Sequence, residues 1–175
     1  MVVVTGRKTA PIHRFSLLLT VILLCGLHLL LSSCSELTAS EEWISVLRVI
    51  DGDTLVLEDD RRVRLLGLDA PEMGWGGGSP ECYAPEATAY LALLISETGG
   101  RIRLETDERR LDVYERELAY LWNEQGEMLN EKILREGYAV FMPESDAIRW
   151  NDRLRQAGEE AMKSLRGLWH PDACP

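Results

Sequence analysis

Histidine is nearly absent. Beyond the first 33 residues the chain holds a single one, His170, five residues before the end. Ser-His-Asp and Cys-His hydrolases need an imidazole placed to move a proton, so a lone imidazole near the end of the chain argues against that chemistry and leaves general-base work to a carboxylate. Positive charge is also in deficit. There are 19 Lys and Arg against 29 Asp and Glu, a formal net charge of −10. Nonspecific attraction to polyanions rests on a basic surface, so any affinity for a polyanion must come from a local site and a metal. No Cys-x-x-Cys pair is present for zinc. The glycine-rich stretch Met73-Gly74-Trp75-Gly76-Gly77-Gly78-Ser79-Pro80-Glu81 has no Gly-Lys-Ser/Thr ending and is not a phosphate loop. Asp51-Gly52-Asp53 lacks the alternating ligands and closing glutamate of an EF-hand. There is no internal repeat and no long linker.

What is present begins with a leader. Arg7, Lys8 and Arg14 precede an almost unbroken apolar run, Phe15 to Leu31, which ends in Leu31-Ser32-Ser33-Cys34. This is the organisation of a secretory signal, and the run is short for a transmembrane span of about 20 residues. Its last four residues resemble the bacterial lipoprotein signal, in which the cysteine is lipidated and becomes the new N-terminus. Residues 1–33 are expected to be a signal peptide and Cys34 the lipidation site, with a soluble secretory signal or an uncleaved anchor as alternatives. The expected location is extracytoplasmic and membrane-anchored, on the periplasmic side of an outer membrane or on the cell surface. Residues 1–33 hold three basic residues and no acid, so their removal takes the formal charge to −13. Residues 34–42 read as a short polar tether, and residues 43–175 as one domain large enough for a core. In an oxidising compartment Cys82 and Cys174 are expected to form a disulfide. The alternative is a zinc site that adds His170, for which the ligand spacing is poor.

Val46 to Ile50 and Thr54 to Leu57 read as strands around an Asp51-Gly52 turn. Asp59-Asp60 turns the chain into a third strand, Arg61 to Leu68, which Pro71 ends. Pro85 suits a helix's first turn, Glu86 to Ser96 continues it, and Gly99-Gly100 stops it. Strands follow at Arg101 to Thr106 and Glu117 to Trp122. A short helix spans Glu127 to Glu136, and a last helix begins near Ser145 or Asp146. Its stripe of Trp150, Leu154, Ala157, Ala161 and Leu165 reads as core. The predicted class is mainly β with α (α+β): a small closed barrel of five strands with about three packed helices.

The chemistry concentrates between Val49 and Glu72. Carboxylates hold hard cations and a guanidinium grips phosphate oxygens. Strands that offer both point to phosphodiester cleavage; a hairpin turn with a solvated charged rim is the plainer alternative. Taken in order, Val49-Ile50-Asp51-Gly52-Asp53-Thr54, Arg64-Leu65-Leu66-Gly67-Leu68-Asp69-Ala70-Pro71-Glu72, Tyr83-Ala84-Pro85-Glu86-Ala87, Asp112-Val113-Tyr114-Glu115-Arg116-Glu117-Leu118-Ala119-Tyr120 and Gly167-Leu168-Trp169 resemble the successive motifs of the staphylococcal nuclease (thermonuclease) family. The match covers about residues 44–170.

The resemblance implies an OB-fold barrel and Ca2+-dependent endonuclease activity on DNA and/or RNA, with 3′-phosphate products. Asp53 and Asp69 would be metal ligands, with the backbone carbonyl of Ala70 as a third. Glu72 would orient or deprotonate the attacking water, and Arg64 and Arg116 would bind the phosphate. The implied substrate is DNA or RNA, single-stranded or denatured by preference, and the protein is expected to be a monomer tied to a membrane through Cys34. Asp51 is expected to hold the turn rather than the metal. Trp75 is a candidate for contact with a base, or a loop anchor.

Several positions depart from the family pattern. Ala70 stands where Thr is usual, Ala84 where Gly is common and Val113 where Lys is frequent. Arg116 is flanked by Glu115 and Glu117. In a regular strand those neighbours face away from it; in a tight turn Glu115 would pair with it and draw it off the phosphate. The competing function is a catalytically weak, membrane-anchored OB-fold module that binds single-stranded nucleic acid or a protein partner.

Overall fold

In β2 (Thr54–Leu57) and β3 (Arg62–Leu65) the side chains alternate, as they must on a pleated strand. Leu55, Leu57, Val63 and Leu65 are fully buried in the barrel core, while Thr54, Val56, Arg62 and Arg64 take the other face. The computed structural model describes residues 42–74, 76, 78–143 and 149–174. Cys34, Trp75, Ser145 and Asp146 lie outside the described residues, as do residues 1–33 and the tether up to residue 41.

The remaining strands are β1 (Trp43–Val49), β4 (Leu68–Asp69), β5 (Arg101–Leu111), β6 (Glu117–Trp122) and β7 (Val140–Phe141). The helices are α1 (Ala84–Glu97), α2 (Leu129–Arg135) and α3 (Asn151–Lys163), followed by a 3-10 turn at Gly167–Trp169. Five strands close a barrel in the order β1-β2-β3-β6-β5, with β5 paired back onto β1. The β3–β6 pair is parallel and the others are antiparallel. This is the five-stranded, helix-flanked α+β barrel that the sequence predicts.

The third strand is shorter than predicted. Gly67 adopts φ +77°, and a Cβ there would stand 2.4 Å from Leu154 Cδ1. The chain therefore leaves the barrel at Gly67, and β4 pairs instead with β7, Leu68 opposite Phe141 and Asp69 opposite Val140. That departure sets the position of Asp69. Fully buried Asn130, on α2, braces it. Asn130 donates to the carbonyls of Leu66 at 2.9 Å and Ala119 at 3.2 Å, and accepts the Leu121 N–H at 2.8 Å.

Other boundaries also shift. β5 runs on to Leu111 through an irregularity after Thr106. Residues 123–126 turn, and Met128 bridges Trp122, so α2 begins at Leu129 rather than Glu127. Trp150 precedes α3, which starts at Asn151. Leu154, Ala157 and Ala161 are core, but Leu165 follows the helix with φ 52° and is about half exposed. Cys82 and Cys174 are joined by a disulfide, Cα to Cα 5.7 Å. Among the described residues no helix is long and apolar enough to cross a membrane.

Candidate active site

The β1–β2 turn presents Asp53 through local bonding. The Asp51 carboxylate accepts the Asp53 N–H at 3.1 Å, and Ile50 donates its N–H to the Thr54 carbonyl at 2.8 Å. Gly52 lets this turn press against its neighbours, since a Cβ there would lie 2.6 Å from Ala70 Cβ and 2.8 Å from Ala87 Cβ. The buried Asp53 carboxylate accepts the Ala70 N–H at 2.8 Å and the Thr54 hydroxyl at 2.9 Å. Burial pushes its pKa up to about 6; Arg64 and the two hydrogen bonds work against that rise, and Asp51 adds to it.

Arg64 lies opposite Thr54 on the outer face of the meander. Its guanidinium spans two acids: Nη1 pairs with Asp53 Oδ2, and Nη2 donates to Asp69 Oδ1 at 2.8 Å. Two carboxylates, one from the β1–β2 turn and one from β4, thus converge on one positive charge. That donor set suits a hard cation, with the Ala70 carbonyl next in the chain as a further oxygen. Among the described residues there is no group of three or more His, Cys, Asp or Glu poised to hold a metal. A cation held by Asp53 and Asp69 would therefore keep several waters, as Ca2+ tolerates.

Arg116 follows a tight turn in which Glu115 takes φ 61°. The alternative of a regular strand is thereby set aside, yet Glu115 is not the partner. Asp112 accepts the backbone N–H groups of Tyr114 at 2.8 Å and Arg116 at 2.9 Å on Oδ1, and Arg116 Nε at 2.6 Å on Oδ2. Burial works to raise the Asp112 pKa, but these bonds and the Arg116 charge outweigh it and hold the acid below its usual range. Glu117 turns away to Arg61, at 2.6 Å. Arg116 Nη1 reaches the Thr54 hydroxyl at 3.4 Å, so Thr54 links the two halves of the site.

Glu72 is exposed and lines a cavity of about 700 Å3 with Asp51, Tyr114 and Arg116. Its backbone is fixed by Glu81, whose N–H donates to the Glu72 carbonyl and whose side chain accepts the Glu72 N–H, both at 2.9 Å. Asp53, Asp69 and Arg64 are thus in contact, Arg116 is joined to them through Thr54, and Glu72 and Arg116 face one cavity. Asp51 holds the turn and also borders the cavity. Of the positioning residues, Thr54 and Asp112 fall inside the motifs quoted above without a role assigned to them, and Glu81 and Asn130 carry no signal of their own in the sequence.

The family profile described as staphylococcal nuclease homologue matches residues 62–171. The chain belongs to the staphylococcal nuclease family. Members of that family are among its relatives: the thermonuclease of Staphylococcus hyicus is 34% identical over 134 residues, covering 75% of this chain and 78% of its own. The thermonuclease of Staphylococcus intermedius is 37% identical over 129 residues, 71% of this chain and 74% of its own. An uncharacterized endonuclease of Escherichia coli O157:H7 is 30% identical over 133 residues, 74% and 78% of the two chains.

Proposed function

We propose that this staphylococcal nuclease family member is a Ca2+-dependent endonuclease that hydrolyses phosphodiester bonds of DNA and/or RNA and leaves 3′-phosphates. Family membership makes the chain a nuclease and a hydrolase. The observation that carries the finer reading is the convergence of Asp53 and Asp69 on one positive charge beside the cavity that Glu72 and Arg116 share.

Asp53, Asp69 and the Ala70 carbonyl would hold the cation, which when bound polarises a phosphoryl oxygen and brings its own water. Glu72 takes a proton from the attacking water. The water oxygen bonds to phosphorus, the bond from phosphorus to the 5′-oxygen breaks, and that oxygen leaves as an alcohol after taking up a proton. Arg64 and Arg116 meet the charge that builds on the phosphoryl oxygens in the five-coordinate transition state. Donors fixed in advance at such a place typically account for about 10²–10³-fold each in rate. Arg64 must loosen its hold on the two acids to do this, which ties phosphate binding to occupation of Asp53 and Asp69. The substrate is single-stranded or denatured nucleic acid, and the protein acts as a monomer anchored outside the cytoplasm through a lipid on Cys34.

The deciding assay incubates heat-denatured DNA and RNA with the protein, with Ca2+ or chelator, beside Arg64→Ala and Glu72→Ala. Cutting is expected only with Ca2+, is expected to fall at least about 10²-fold in each variant, and should leave ends that a phosphatase must treat before a polymerase extends them. Tight binding without cutting under any metal would overturn the enzyme in favour of a binding module. Labelled-palmitate incorporation that disappears in Cys34→Ser tests the anchor.

A further inference from the structure

The outer face of the β1–β2–β3 meander carries more positive charge than the site above uses. Alternate residues of a strand share a face, so Arg62 lies on the face of Arg64, and Val56, opposite Arg62, continues that face across β2. β1 contributes to it through an irregularity. Val46 is opposite Leu57 on the core side, and a regular strand would point Arg48, two residues on, the same way. The register shifts between Val46 and Arg48, so Arg48 stands opposite Val56 instead. A bulge of this kind re-aims a side chain. Arg48, Val56 and Arg62 thereby form one cross-strand row. β3 runs parallel to β6 with Val63 level with Glu117, and the residues just before that pair are Arg62 and Arg116.

These arginines meet in one place. Arg48, Arg62 and Arg116 line the same cavity, which Glu72 and Tyr114 also border. Arg48 and Arg62 are exposed, and among the described residues neither guanidinium has a hydrogen-bond or ion-pair partner. Their neighbours differ. Arg61 is held by Asp59 at 2.8 Å and Glu117 at 2.6 Å, and Arg116 by Asp112. In a chain with a large excess of acids, two unclaimed guanidinium groups beside the site are free to take an anion from outside.

We propose that Arg48 and Arg62 form a second phosphate subsite, which holds a phosphate neighbouring the scissile one and makes the protein prefer strands of several nucleotides to single-linkage substrates. The inference rests on the reading of the site as a phosphodiester hydrolase. Guanidinium forks match phosphate oxygens. The two side chains spring from strands on either side of β2, with backbones about 10 Å apart, and together they can follow a strand along the cavity.

The test uses the full chain with chelator, so that binding is read without cutting. Fluorescence anisotropy of a labelled single-stranded oligothymidylate gives Kd across a salt series. Each lost phosphate contact lowers the slope of log K against log salt by about 0.7 for a single strand, so Arg48→Ala/Arg62→Ala should lower it by about 1.4. Affinity at low salt should fall at least about tenfold. Arg155→Ala removes a charge from α3, where Arg155 pairs with Asp152 and Glu159, and should leave the slope unchanged. A double variant with wild-type slope and Kd, or an equal loss in Arg155→Ala, overturns the subsite. If wild type cuts with Ca2+ while the slope is unmoved, the subsite alone falls. If the slope drops as stated but wild type never cuts, the hydrolase reading alone falls. A wild type that binds no oligonucleotide in chelator sinks the subsite, and the hydrolase reading is then decided separately by cutting with Ca2+.

Discussion

Asp112 holds Arg116 at two points, accepting its backbone N–H at 2.9 Å and its Nε at 2.6 Å. Asp112 engages only Nε of the guanidinium, Nη1 makes a long contact to Thr54 at 3.4 Å, and Arg116 lines the cavity. The Tyr114 ring stands 5.5 Å from the guanidinium carbon. Asp112 is therefore a positioning residue. Asp112→Ala should lower kcat by about 10–100-fold, the worth of a lost hydrogen bond to a charged group, with a smaller change in KM. Asp112→Asn, which keeps one acceptor, should recover part of the loss. Wild-type kcat in Asp112→Ala would remove the role.

Gly52 should tolerate no side chain. A Cβ would meet Ala70 and Ala87 inside 3 Å, and overpacking of this kind costs about 1–3 kcal/mol. It would also push Asp53 from the Ala70 N–H it now accepts at 2.8 Å. Gly52→Ala should shift the urea midpoint downward and reduce cutting, and Ala70→Gly in the same chain should restore part of both. A midpoint equal to wild type would show that the turn can yield without loss.

Glu131 is a pH-sensitive tie between helices. Buried on α2, it accepts Arg135 at 2.5 Å and Arg153, from α3, at 2.5 Å. Burial works to raise its pKa, but the two arginines outweigh that and hold it below the ordinary 4.5. The native state thus binds fewer protons than the unfolded chain, and the contribution is whole above pH 4.5 and is lost as pH falls through the depressed value. Glu131→Gln should cost about 1–3 kcal/mol at neutral pH, both arginines being partly solvated. Urea melts at descending pH should bring variant and wild type together. A gap that widens in acid would contradict the assignment.

The Cys82–Cys174 disulfide closes a sequence separation of 92 residues, and its removal should lower unfolding free energy by about 2–5 kcal/mol. Glu81, next to Cys82, is doubly bonded to the backbone of Glu72. Cys82→Ser/Cys174→Ser should therefore slow cutting as well, and Glu81→Ala should slow it with the disulfide intact. Unchanged melting and rate in the double serine variant would show the bond to be dispensable.

The alternation in Thr54–Leu57 and Arg62–Leu65 was legible because a period of two is written locally. So were the Pro85 start of α1 and its Gly99-Gly100 stop. Motif order names Asp53, Arg64, Asp69, Glu72 and Arg116 as candidates, and the fold brings Asp53, Arg64 and Asp69 into contact. The break at Gly67 was hidden, because only Leu154, far along the chain, leaves no room for a side chain there. The helical stripe failed at Leu165 for a related reason: periodicity does not say where a helix stops.

Composition and strand patterning set which chemical groups this protein can use: carboxylates and guanidinium groups in place of imidazole, carried on strands whose apolar face is written in the alternation. Tertiary structure decided how those groups meet. Arg116 reaches Thr54 across 62 positions of chain, its acid partner is Asp112 rather than the adjacent Glu115, and a register shift in β1 turns Arg48 toward Arg62. Local propensity specifies a strand or a turn, but barrel closure and strand register choose the neighbours, and the site is made of neighbours.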